Sequence, residues 1–110
     1  HYIPIDFKTT GSSSFEENSE KYYQHQVDIY NFLLEENGYK TKELAYLIYY
    51  KPEEVVEKGM MKFQIVVKRM QTSHERAKKL FEGAIELLQG PMPESHSECK
   101  FCSWGNDFVG

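Results

Sequence analysis

Residues 44–50 (LAYLIYY) are apolar or aromatic at every position, and this limits the fold more than any other stretch. A run so short, closed by Lys51-Pro52, suits a strand covered on both faces. Such strands lie inside sheets that carry helices, and the flanking segments supply those parts. Residues 2–9 alternate, with Ile3, Ile5 and Phe7 on one side and Pro4, Asp6 and Lys8 on the other, which is the period of a strand. Thr10-Gly11-Ser12-Ser13-Ser14 then reads as a loop. Residues 22–36 have helical spacing: Tyr23, Val27, Tyr30 and Leu34 form a stripe, widened by Ile29 and Leu33. Asn18 or Ser19 can cap its start, and Gly38 sits where a left-handed C-terminal residue belongs.

Past the buried run, the charged residues 53–59 read as a solvated loop or turn. Residues 61–70 alternate again, with Phe63, Ile65 and Val67 opposite Lys62, Gln64 and Lys68, as in a half-exposed strand near a sheet edge. Thr72-Ser73-His74-Glu75 is a capping box, continued by Ala77, Leu80, Phe81, Ala84 and Leu88 as an amphipathic helix that Gly90-Pro91 stops. The tail from Met92 reads as irregular. Strand, helix and buried strand make a parallel crossover unit, so the class is α/β: a mixed sheet flanked by helices, in the order βαββα. Three strands are few for such a sheet, and the chain opens at His1 directly in a strand, so an incomplete fold with an upstream part missing is expected.

The remaining bounds are compositional. A chain of 110 residues holds one domain at most, and 40% hydrophobic with 15% aromatic residues excludes a disordered one. A formal net charge of -4 excludes nucleic-acid binding by bulk positive charge, so any phosphate site is local. No apolar run approaches the roughly 20 residues of a membrane span, no secretory signal opens the chain, and an intracellular, cytoplasmic location is expected.

Three groups of residues can carry chemistry. On a strand, residues two apart share a face, so Asp6 and Lys8 project together while Phe7 points towards the core. Such a carboxylate can hold a hard divalent cation, and the ammonium can orient water or stabilise a phosphate in displacement. Taken alone, the triplet fits a solvated strand face with a neighbouring ion pair better than a site. On the helix, Gln26 and Tyr30 are four apart and reach one patch with an amide and a phenol, while Asp28 lies off that face and should be solvated. In the tail, His96, Cys99 and Cys102 have zinc-ligand spacing, although two reduced thiols in a mobile tail fit as well. Lys68 and Arg69, at a strand end beside a helix start, offer a weaker contact for a DNA backbone.

Taken in order, IDFKT (5–9), QVDIY (26–30), the LAYLIYY strand and the CKFC tail (99–102) resemble the PD-(D/E)XK nuclease superfamily. The resemblance is nearest its branch of RecB-like and CRISPR-associated exonucleases. It implies a restriction-endonuclease-like core over 1–90, with a Cys-containing tail over 91–110, and metal-dependent hydrolysis of DNA. Asp6 would be a ligand to Mg2+ or Mn2+, Lys8 the catalytic lysine, and Gln26 and Tyr30 active-site helix residues. Cys99 and Cys102 would bind zinc or belong to a partial iron–sulfur cluster. The family also needs an acidic residue on a preceding hairpin. Only His1–Ile5 stand before Asp6, so an upstream segment or a second chain is expected to complete the site. The alternative is a non-catalytic interaction module with a zinc-binding Cys/His tail.

Overall fold

The computed structural model describes residues 1–11 and 19–109. The loop serines 12–14 and the candidate cap Asn18 lie outside the described residues. Along the chain run β1 (Ile5–Thr9), α1 (Ser19–Glu36), β2 (Leu44–Glu57), β3 (Met60–Gln71), α2 (His74–Gln89) and α3 (Lys100–Val109). The strands form one mixed sheet in the order β1-β2-β3. β1 is parallel to β2, with Asp6 beside Leu47 and Lys8 beside Tyr49. β2 is antiparallel to β3, with Leu47 opposite Lys68 and Ile48 opposite Val67. The chain divides into two compact units, His1–Leu80 and Phe81–Gly110, with the division inside α2. Among the described residues, no helix is long and apolar enough to cross a membrane.

Which face α1 covers decides everything about the site. Ala45, Leu47, Tyr49 and Met70 are buried together with Val27 of α1, and Tyr23 and Val66 pack against them. By the pleat, Asp6 and Lys8 stand on this same covered face. The other face holds Ile5, Phe7, Ile65 and Val67, which are 54%, 61%, 57% and 58% exposed. The expectation that Phe7 points into the core is therefore reversed, and so is the expected side of Phe63, Ile65 and Val67. Residues 44–50 are likewise covered on one face by described residues, since Tyr46, Ile48 and Tyr50 are only half-buried.

Alternation could not settle this, because both faces of the sheet are apolar enough to attract a helix. Polar side chains of α1 settle it. Asn31 donates to the Leu44 carbonyl at 2.8 Å and to Thr72 Oγ1 at 2.6 Å, and Gln24 donates to the Gln71 carbonyl at 2.8 Å. α1 closes as expected at Gly38, whose φ of 86° is left-handed. There Gly38 N–H reaches the Glu35 carbonyl and Tyr39 N–H the Leu34 carbonyl, both at 3.0 Å.

Three local expectations are corrected. Residues 53–59 are largely strand: β2 and β3 form a long hairpin that absorbs the charged stretch through irregularities between Pro52 and Glu54 and between Val55 and Glu57. It turns at Lys58-Gly59, where Gly59 takes a φ of 80°. The cap of α2 is Ser73, one residue later than the Thr72–Glu75 box implies, and its Oγ accepts from Arg76 N–H at 3.2 Å. Thr72 is instead buried against Asn31. The tail is not irregular throughout, since residues 100–109 form α3 with Trp104 and Phe108 in ring contact at 4.8 Å.

Candidate active site

Lys8 is the centre of the covered face. Its Nζ lies 2.7 Å from Asp6 Oδ2, donates to Gln26 Oε1 at 2.7 Å, and stands 4.1 Å from the centroid of the Tyr23 ring. Strand period puts Asp6 beside it, and helix α1, packed against β2 and β3, brings Gln26 and Tyr23 to it. The cluster is closed without being sealed: the side chains of Lys8 and Asp6 keep 17% and 23% of their exposure. Asp6 Oδ2 is buried and accepts no hydrogen bond among the described residues. Its contact with Lys8 is an ion pair lying off the hydrogen-bond directions.

Of the residues named from sequence, the structure thus brings Asp6, Lys8 and Gln26 together. Tyr30 is one turn further along α1, in the wall of a cavity of about 510 Å3 with Tyr2, Ile3, Leu33, Leu34 and Tyr39. The ring against Lys8 belongs to Tyr23, which the helical stripe assigns simply to the core. The signal for it is the spacing: Tyr23 precedes Gln26 by three residues, so both side chains occupy one helix face.

Asp28 is not solvated. It is fully buried. Its carboxylate takes Arg76 Nε at 2.8 Å and Nη2 at 3.1 Å, the Ser73 N–H at 2.8 Å and Gln24 Nε2 at 3.0 Å. The hydrogen bond to Asp28 holds the Arg76 guanidinium above arginine's usual range. The physical reason is position on α1: Gln24, Asp28 and Asn31 form a second, polar stripe aimed at the start of α2, where an anion meets the helix N-terminus.

Lys68 and Arg69 point to opposite faces, as neighbours on a strand must, and so share no single patch. Lys68 is half-buried on the α1 face and paired with Glu20 at 2.7 Å, whereas Arg69 is exposed on the other. In the tail, Cys99 and Cys102 are paired as a disulfide at the start of α3. His96 Nδ1 accepts from the Glu98 N–H at 3.1 Å.

Chemically, the cluster offers a carboxylate whose Oδ2 is ion-paired with Lys8, and an ammonium held in place by Asp6 and Gln26. Asp6 fits a divalent cation as a single ligand; no group of three or more His, Cys, Asp or Glu able to hold a metal exists among the described residues. A family model for the PD-(D/E)XK nuclease superfamily matches residues 1–106. The chain belongs to that superfamily. No curated protein and no solved structure matches it. The mixed sheet with its helices is a restriction-endonuclease-like core.

Proposed function

We propose that this chain is the DNA-hydrolysing part of a metal-dependent nuclease, exonuclease-like in the manner of the RecB-like and CRISPR-associated branch. The observation that carries the reading is the seat of Lys8: an ammonium on the (D/E)XK strand held at 2.7 Å by both Asp6 and Gln26. Asp6 would hold Mg2+ or Mn2+, with its other oxygens from water and from an acidic group on a second segment or chain. When bound, the cation neutralises phosphate charge and makes a bound water more acidic.

The chain's own residues do the rest. Water bonds to phosphorus as it gives up a proton to solvent, the bridging P–O bond breaks with its oxygen leaving as a hydroxyl protonated from solvent, and negative charge builds on the non-bridging oxygens. Lys8 Nζ presents one N–H to that charge or to the incoming water, the task of a fixed cation in phosphoryl transfer. Gln26 Oε1 accepts a hydrogen bond from another N–H and so fixes the direction of the third. Tyr30 would act one turn along α1, where its cavity meets β1.

The need for a second segment is supported by the edge position of β1 and the uncovered apolar side that carries Ile5 and Phe7. That uncovered side also favours a second reading, an interaction module without catalysis. Incubating the chain with linear duplex and single-stranded DNA and Mg2+ or Mn2+ separates the two readings. Cleavage that EDTA abolishes is expected. Intact DNA under all these conditions removes the enzyme reading and leaves the interaction module.

A further inference from the structure

We infer that Tyr23 is the positioning residue for Lys8, its ring face holding the ammonium when Asp6 turns to a cation. The inference rests on the nuclease reading of the Asp6–Lys8 site and adds a residue to it. Asp6 Oδ2 is the oxygen that touches Lys8 Nζ, at 2.7 Å, and it is buried. A divalent cation on either oxygen of Asp6 draws on the same single negative charge that holds the ammonium, and the two positive charges repel. Once Asp6 serves a cation, its hold on Lys8 weakens.

Two neutral partners remain. Gln26 Oε1 takes one N–H at 2.7 Å, and the Tyr23 ring faces the Nζ at 4.1 Å, within the range where a cation is drawn to the negative face of an aromatic. Being neutral, they fix the charge without cancelling it. An ammonium has three N–H donors. With one on the amide and one over the ring, the third is free for a phosphate oxygen or a water. The ring is itself well backed: it lies 6.4 Å from the ring of Tyr49, which is 3% exposed in the core. The hydroxyl of Tyr23 plays no part in this, so phenylalanine should replace tyrosine and leucine should not.

The test reads Lys8 directly. In proton–carbon spectra of the chain, with the Lys8 signal assigned by its loss in Lys8→Arg, the Lys8 Hε protons should be displaced upfield by the ring. The displacement should persist in Tyr23→Phe and vanish in Tyr23→Leu. With Mn2+ and DNA, Tyr23→Leu should lower kcat about threefold to thirtyfold, the size of one cation–π contact, with KM little changed. Tyr23→Phe should restore most of the loss. Undisplaced Hε protons in the unmutated chain overturn the inference without any variant having to fold. Equal behaviour of Phe and Leu at this position overturns it too. Displaced protons that respond to Tyr23→Leu, in a protein that cuts no DNA, would sink the nuclease reading while Tyr23 keeps its hold on Lys8.

Discussion

Lys8 meets one anionic and two neutral partners, and each should report differently when removed. Lys8→Ala deletes the fixed charge and should cost about a hundredfold or more in kcat, as loss of one preorganised transition-state donor does. Gln26→Ala leaves the charge and frees its direction; about tenfold to a hundredfold is expected, the worth of one charge-assisted hydrogen bond. Asp6→Asn keeps the shape and loses the hard anionic oxygen, so it should weaken Mn2+ binding measured by calorimetry more than it weakens folding. Much of this was legible from residue spacing. Asp6 with Lys8 follows from strand period, and Gln26 follows from helix period once β1 and α1 are placed. Tyr23 was not, because an aromatic on an apolar stripe carries the same pattern whether it fills a core or faces a cation. Asp28 was not either: a lone carboxylate on a helix says nothing of the Arg76 that the start of α2 brings to it.

At the scale of elements, the hold of α1 on β3 and α2 keeps Gln26 and Tyr23 over Lys8. Asp28→Ala strips partners from the Ser73 N–H and from Gln24, and should cost about 1–3 kcal/mol in urea unfolding. The guanidinium of Arg76 is raised above its ordinary value by Asp28. Its share of stability is fully present below the unfolded value and is lost only as pH climbs through the folded one. Alkali in the ordinary working range should therefore leave this clasp closed, which unfolding at pH 8 and pH 10 in the Arg76→Gln variant and the parent would check. The order of elements could be read from the sequence because period and breakers agree there. The face taken by α1 could not, since it depends on hydrogen bonds from Gln24 and Asn31 to backbone far along the chain. The shift of the α2 cap to Ser73 has the same origin: Asn31 takes Thr72, and the next hydroxyl does the capping.

For the sheet and its covering helix together, the two faces should answer mutation oppositely. Leu47 is fully buried under α1, and Leu47→Ala should cost about 2–5 kcal/mol. Ile65→Thr with Val67→Thr, on the uncovered side, should change stability by no more than about 0.5 kcal/mol each and make the chain more soluble. Equal costs on both sides would mean that the apolar side of Ile5, Phe7, Ile65 and Val67 is covered in solution. The same two-sidedness explains why a run such as LAYLIYY predicts a doubly covered strand while the described residues cover one side.

The Asp6–Lys8 pair under α1 is the proposed metal-dependent nuclease site. The decisive measurement is cleavage of end-labelled linear DNA with Mn2+ by the protein, compared with its Lys8→Ala variant of matched amide spectrum. Metal-dependent cleavage that disappears in Lys8→Ala is the predicted result. Cleavage at an unchanged rate in that variant would contradict it.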